Sequence, residues 1–338
     1  MTQPPLNWGL LSTARINRAL VPPLNASPRT RLLAAASRSQ AAADAYAREW
    51  NIPRAHGSYE SLLADPDIDV IYNPLPNHLH AEWTVKALRA GKHVLCEKPF
   101  ALTLAEVDAM IAASKETGKA LAEAFMYRHH PQTLKVKELV DSGVLGKLQL
   151  IKGAFTYTFT REGNFRGIKE MGGGSLWDVG CYPVSYARLI AGAEPAEVFG
   201  WQVEGAALRP EGASKGPDGS DMSFVGQMRF ANGVHAQFDS GFQSPLRSFI
   251  EIVGSDASLN IPVPFKPGLK SQFILRRGNK VETIHVKGQE LYMGEVDDMC
   301  DAILLGKPPR ISLADSRANV AAILALLESA KTGKPVRL

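Results

Sequence analysis

The sequence predicts two domains: an α/β domain built on a parallel sheet, then an α+β domain with an antiparallel or mixed sheet. Two patterns predict it. Over residues 1–125, short apolar runs alternate with helical segments, as βαβ units require. Over residues 126–338, β-like runs follow one another with few helices between them. A chain of 338 residues also exceeds a typical single core, so two domains are expected.

The elements follow in order. Asn7 to Leu11 is short, apolar and β-like, and a helical pattern starts near Ile16. Arg31 to Ser37 is a second buried run. Alanine-rich Gln40 to Trp50 is a helix ending near Pro53. Asp69 to Asn73 is a strand bounded by Pro74 and Pro76. Leu79 to Ala90 is a helix stopped by Gly91, His93 to Cys96 a strand, Leu104 to Lys115 a helix ending at Gly118, and Ala120 to Ala124 a strand. Strands this apolar are covered on both faces.

After a helix near Pro131 to Asp141, strands are expected at Leu148 to Thr160, Val198 to Glu204, Met222 to Phe230, Val234 to Gln237, Ser248 to Val253 and Phe273 to Arg277. Asn232-Gly233 suits a type I′ hairpin turn. Gly205 to Ser220, rich in Gly, Pro and Ser, is a long exposed loop or a disordered tip. Ala314 to Leu327 is an amphipathic helix that closes the core or packs back on the first domain.

Composition excludes several classes. Hydrophobic content of 45% and charged content of 21% are ordinary for a globular protein, and a net charge of +4 without basic runs leaves no nucleic-acid footprint. No apolar stretch is long enough to span a bilayer, and the start lacks a secretory pattern. The cysteines, Cys96, Cys181 and Cys300, are odd in number and far apart. They suggest reduced thiols in the cytoplasm and show no metal-ligand spacing.

The chemistry-bearing segment is Glu97-Lys98-Pro99, directly after the apolar run Val94-Leu95-Cys96. Lysine and glutamate are rarely buried unless paired, and the carboxyl ends of parallel strands are where ligands bind. Pro99 biases Lys98 toward extended backbone. A solvated surface pair is the plain alternative.

The turn after the first strand, Ser12-Thr13-Ala14-Arg15-Ile16, has small residues where a dinucleotide fingerprint has glycines. Its hydroxyls, the Arg15 guanidinium and a helix N-terminus suit a pyrophosphate, and capping of the helix by Ser12 or Thr13 is compatible with that. The second strand ends in Ser37 and Arg38, where an NAD enzyme carries an acid for the ribose. An arginine there favours NADP over NAD. Asp178 and Tyr182 lie four apart on a helix expected after Gly172-Gly173-Gly174, so they share a face. Alone, they read as an N-cap and a packing residue.

Taken together, Asn73-Pro74-Leu75-Pro76-Asn77-His78-Leu79-His80, the run Ala90 to Pro99 and the run Gly172 to Tyr182 resemble the glucose–fructose oxidoreductase/inositol dehydrogenase (Gfo/Idh/MocA) family. The likeness spans nearly the whole chain. The glycine-free turn resembles the NADP-dependent xylose dehydrogenase and dihydrodiol dehydrogenase branch. The resemblance implies a Rossmann domain followed by a large open mixed, mainly antiparallel sheet, whose outer face makes a homodimer or homotetramer. It implies hydride transfer between NADP and a sugar or polyol, as in an aldose 1-dehydrogenase. Reduction of a trans-dihydrodiol-type or other carbonyl substrate, and a nucleotide-sensing regulator without chemistry, are the alternatives. Lys98 and Tyr182 fall on the family's catalytic positions, with Tyr182 as general acid/base, Lys98 on the reacting oxygen and Asp178 on a neighbouring hydroxyl. Leu75, Pro76, Asn77 and His80 are expected along the cofactor's nicotinamide ribose side. Glu97 touches that ribose or orients Lys98. Arg128 lies in the substrate cleft or makes an inter-domain ion pair. His129-His130 is not a metal pair, because adjacent residues do not share a helix face.

Overall fold

The computed structural model describes residues 4–159, 164–205 and 220–338. The chain forms two compact units. One holds the chain up to His129 together with Glu290–Arg317; the other holds His130–Gln289 and Ala318–Leu338. The second unit is therefore not the single stretch 126–338. The first takes back the segment that follows the last hairpin.

The first unit runs β1 (Leu6–Leu10), α1 (Asn17–Ala26), β2 (Thr30–Ala36), α2 (Gln40–Trp50), β3 (Arg54–His56), α3 (Tyr59–Leu63), β4 (Val70–Asn73), α4 (His80–Arg89), β5 (His93–Glu97), α5 (Leu104–Thr117) and β6 (Leu121–Ala124). Its sheet is parallel in the order β3-β2-β1-β4-β5-β6. The order reverses between β1 and β4, which puts a crevice for ligands at their carboxyl ends. β4 and most of β5 are buried, as strands covered on both faces must be. Ser39 caps α2 by accepting from the Ala42 N–H at 3.4 Å, and Thr103 and Glu106 form a capping box on α5.

The second unit continues with α6 (Pro131–Asp141), β7 (Leu148–Thr156), α7 (Cys181–Ala191), β8 (Pro195–Glu204), β9 (Asp221–Phe230), β10 (His235–Gly241), β11 (Arg247–Gly254), β12 (Ser258–Ile261), β13 (Lys270–Arg277) and β14 (Lys280–Lys287). Then α8 (Met293–Leu305) belongs to the first unit. α9 (Leu313–Thr332) has its first turn in the first unit and its remainder in the second, ahead of β15 (Val336–Arg337). The sheet has nine strands in the order β14-β13-β12-β11-β7-β10-β9-β8-β15. Within this sheet, among the described strands, only β7 and β10 pair in parallel. One face packs Phe224, Met228, Phe238 and Ile250 into the core; the other leaves Trp201, Val203 and Val225 exposed.

Two local expectations are corrected. The β9–β10 turn is not type I′, because Asn232 does not have positive φ. The Gly233 N–H donates to Phe230 O at 3.0 Å, and Gly233 itself takes φ +88°. That is a type I turn followed by a left-handed glycine, which also fits strand twist. Asp178 does not cap a helix. It lies inside a π-helical turn, Leu176–Gly180, that leads into α7. Most of the expected loop at 205–220, namely 206–219, lies outside the described residues.

Candidate active site

In the first unit, the crevice between β1 and β4 is edged by the residues picked out from the sequence. The Leu11 N–H bonds Tyr72 O at 3.0 Å, which joins the two strand ends. Asn17 Nδ2 donates to Ser12 O at 2.8 Å and fixes the turn after β1. Neither Ser12 nor Thr13 caps α1: the helix begins at Asn17 after Ile16, with no side-chain cap. The Ser12 hydroxyl is buried and lacks a partner among the described residues. A buried unmade hydrogen bond costs about 1–3 kcal/mol, so an acceptor such as a phosphate oxygen satisfies it. Ala14 and Ile16 are half-buried and Arg15 is exposed. These residues fit a dinucleotide pyrophosphate.

At the end of β2, Ser37 is half-buried and its N–H bonds His56 O at 3.0 Å, while Arg38 is exposed. The Arg38 charge acts on the Tyr59 phenol, partly offsetting the upward push of burial. No carboxylate stands at residues 37–39.

Glu97 and Lys98 close β5. Glu97 Oε1 accepts from the Tyr72 hydroxyl at 2.5 Å, and Oε2 accepts from the Lys98 N–H at 3.3 Å. The second of these bonds joins the Glu97 carboxylate to the Lys98 backbone. Burial, then the Glu97 charge, holds the Tyr72 phenol well above its usual range, so it stays a donor. Lys98 is half-buried and joined to Pro99 by a cis peptide. Leu75 and Asn77 are buried and Pro76 half-buried.

His80 is 1% exposed, and its ring nitrogens face Pro99 O and Leu75 O, each at 2.7 Å, so both nitrogens are engaged by backbone. Arg128 pairs with Asp315 at 2.7 Å, and both belong to the first unit, so that ion pair is not inter-domain.

In the second unit, Gly174 has φ +121°, and a Cβ there would sit 2.1 Å from Asp221 Oδ1. Only glycine lets this backbone approach Asp221, whose Oδ2 accepts from Ser175 Oγ at 2.6 Å and the Leu176 N–H at 2.8 Å. These bonds start the π-helical turn that presents Asp178. Asp178 is 8% exposed. Its Oδ2 accepts from the Tyr157 hydroxyl at 2.8 Å, and its Oδ1 pairs with Arg166 Nε at 3.1 Å. Tyr182, 4% exposed, packs its ring against Phe155 and Phe265 at centroid distances of 5.2 and 5.4 Å. Sequence reading missed Tyr157, Arg166 and Phe265. Tyr157 and Arg166 lie between β7 and the glycine run, and Phe265 follows β12, positions that carry no sequence signal.

Other residues of these segments are held in the core or at helix ends. His130 Nδ1 accepts from the Gln132 N–H at 3.1 Å as the cap of α6. Trp177, Cys181 and Tyr292 are buried. The three cysteines are buried and form no disulfide. Among the described residues no helix is long and apolar enough to cross a membrane.

A parallel sheet with a switch-point crevice, an orphaned hydroxyl at its phosphate turn and a lysine at a strand end define a dinucleotide-dependent oxidoreductase. Comparison with known proteins agrees. Residues 6–125 match the model of an oxidoreductase family with an NAD-binding Rossmann fold, and residues 133–260 match the GFO/IDH/MocA C-terminal domain. The chain belongs to the Gfo/Idh/MocA family of NAD(P)-dependent oxidoreductases.

It is 34% identical to D-xylose 1-dehydrogenase (NADP(+)) 2 of Haloferax volcanii, over 98% of this chain and 99% of that one. Among solved structures it is similar to KijD10, a 3-ketoreductase from Actinomadura kijaniata in complex with NADP and TDP-benzene. The TM-score is 0.88 at 29% identity, covering 96% of this chain and 98% of that one. An aldose-aldose oxidoreductase from Caulobacter crescentus complexed with glycerol gives a TM-score of 0.89 at 27% identity, covering 99% and 100%.

Proposed function

We propose that this protein is an NADP-dependent dehydrogenase that oxidises a CH–OH group of a small sugar or polyol, in the manner of an aldose 1-dehydrogenase. The observation that carries the reading is Lys98, held at the carboxyl end of β5 by Glu97, whose carboxylate is fixed in turn by Tyr72. The relative named as an NADP(+)-dependent D-xylose 1-dehydrogenase supports the substrate class, and the NADP in the KijD10 complex supports the cofactor.

Bound NADP supplies the hydride acceptor. The phosphate turn from Ser12 to Ile16 holds the pyrophosphate, Ser37 and Arg38 the 2′-phosphate, and Leu75, Pro76 and Asn77 the nicotinamide ribose side. Tyr182 takes the proton of the reacting hydroxyl as general base. Lys98 bonds that oxygen and stabilises its developing charge. Asp178 accepts a hydrogen bond from a neighbouring substrate hydroxyl. Two copies associate through the open sheet face that carries Trp201, 56% exposed, beside Val203 and Val225.

The test is turnover of an aldose panel with NADP⁺, followed by absorbance of the reduced cofactor. Lys98→Met and Tyr182→Phe are expected to abolish turnover while leaving the fold intact; full activity in both would overturn the roles. Titration with NAD⁺ and NADP⁺ should show an NADP⁺ preference that Arg38→Asp reverses. Equal affinities in the parent protein would remove the charge argument. The similarity to KijD10 favours a second reading, reduction of a keto group on a nucleotide-linked sugar. A panel silent with free aldoses and active with such a substrate would select it.

A further inference from the structure

We propose that His80 is a positioning residue for Lys98, and that its ring hydrogen sits on Nδ1 and is donated to the Pro99 carbonyl. The inference rests on the function proposed above only for its consequence in catalysis.

The ring bridges two loops of the first unit. Nδ1 stands 2.7 Å from Pro99 O, in the residue after Lys98, and Nε2 stands 2.7 Å from Leu75 O, in the loop assigned to the nicotinamide ribose. The residue is 1% exposed, and a carbonyl already stands at hydrogen-bond distance from each nitrogen. A carbonyl only accepts, and a neutral imidazole has one N–H and one lone pair. The neutral ring therefore serves one of the two carbonyls, and the doubly protonated ring serves both. The two loops do not need the bond equally. The Leu75 loop has other anchors: the Leu75 N–H donates to Asn73 Oδ1 at 3.3 Å, and the Leu79 N–H donates to Pro76 O at 2.8 Å. Pro99 has no N–H to offer. A second bond to the backbone there, from the Lys98 N–H to Glu97 Oε2, is long at 3.3 Å, so the Pro99 carbonyl is the stronger handle and the hydrogen is assigned to Nδ1.

The backbone of His80 is fixed as well. Asn73 Nδ2 donates to His80 O at 3.1 Å and to Thr84 Oγ1 at the same distance. The ring thus has a rigid base from which to set the spacing of the loops. Burial, and then the nearby Lys98 and His78 charges, push its pKa down, while the two carbonyls push it up; the balance lies at about 4. The ring is neutral over the working range.

The side chains of Asn and Gln separate the two nitrogens, since an Asn amide reaches the place of Nδ1 and a Gln amide the place of Nε2. His80→Asn should keep most of kcat. His80→Gln should lose roughly tenfold, the worth of one buried hydrogen bond at the transition state, with the sugar KM little changed. The reverse order would overturn the proposal. An independent reading comes from the parent protein with ¹⁵N-labelled histidine. Long-range ¹⁵N–¹H correlations at pH 7 should place the His80 hydrogen on Nδ1. A hydrogen on Nε2, or on both nitrogens, would overturn the proposal whatever the substrate proves to be.

Discussion

Replacement of Tyr157 by Phe isolates one bond in the candidate site. Asp178 is nearly buried, and its carboxylate is held from two sides, by Tyr157 at 2.8 Å and by Arg166 at 3.1 Å. A hydrogen bond to a charged acceptor contributes about 1.5–3 kcal/mol. Arg166 survives the change and still restrains Oδ1, which places the effect at the low end of that range. Each 1.4 kcal/mol is a factor of ten, so kcat/KM for the sugar should fall about tenfold. The phenyl ring stays, and with it the packing of Tyr157 on Phe159 and Phe242. Thermal stability should therefore change little. If Tyr157 acts only by aiming Asp178, the double variant Tyr157→Phe/Asp178→Asn should be no worse than Asp178→Asn alone. Steady-state reduction of NADP⁺ by the parent, both single variants and the double variant completes the cycle. Strictly additive losses would refute the reasoning, as would a Tyr157→Phe enzyme with unchanged kcat/KM.

Three further outcomes are expected. Asp221 is fully buried, which pushes its carboxyl up to about 6, with the bonds from Ser175 and Leu176 opposing. Its folded pKa is above its unfolded value, so ionisation lowers stability as pH rises from about 4 through 6. Asp221→Asn removes that cost and should be more stable than the parent at pH 7, by an amount that shrinks toward pH 4 in denaturant titrations; a pH-independent difference would contradict the sign. Gly226→Ala should destabilise the second unit by about 1–3 kcal/mol, because the new Cβ meets the Phe238 ring at 2.3 Å. A Tm unchanged in calorimetry would argue against that packing. Trp201→Glu should shift the protein to a monomer in sedimentation if the open sheet face joins two copies, and an unchanged mass would exclude that face.

The sequence announced most of the first unit because its strands are buried on both faces. Val70-Ile71-Tyr72-Asn73 and His93-Val94-Leu95-Cys96 are read as apolar runs, and the structure places them side by side as β4 and β5. β3, Arg54–His56, gave no such signal. It is three residues long, partly exposed, and joined to the core side by the pairing of Arg54 with Asp65 at 2.9 Å. β14 is missed for a related reason: Lys280–Lys287 lies at the sheet edge with nearly all its residues exposed, so no alternation marks it. Turn chemistry misled where composition allowed two answers, since Asn-Gly serves both a type I′ turn and the turn with a left-handed glycine found here.

The site divides along the same physical line. Lys98, Glu97 and the turn after β1 stood out in the sequence because charged or hydroxyl groups at the end of a buried strand are rarely needed for the core. The groups that aim them did not. Tyr72 sits inside a strand and looks like core until its hydroxyl is seen 2.5 Å from Glu97. Tyr157 and Arg166 lie 21 and 12 positions before Asp178, and no periodicity links them to it. His80 was picked out through the resemblance alone, and its two backbone carbonyl contacts carried no mark in the sequence. A side chain that meets the ligand must break the local pattern and can be seen. A side chain that positions it can satisfy the pattern completely, and only its partners in space reveal the work it does. In this protein the variants worth making are therefore as much Tyr72, His80 and Tyr157 as Lys98 and Tyr182. Loss of activity from Tyr72→Phe comparable to that from Glu97→Gln would place the Tyr72–Glu97 pair in one unit acting on Lys98, whereas an inert Tyr72→Phe would leave Glu97 to act alone.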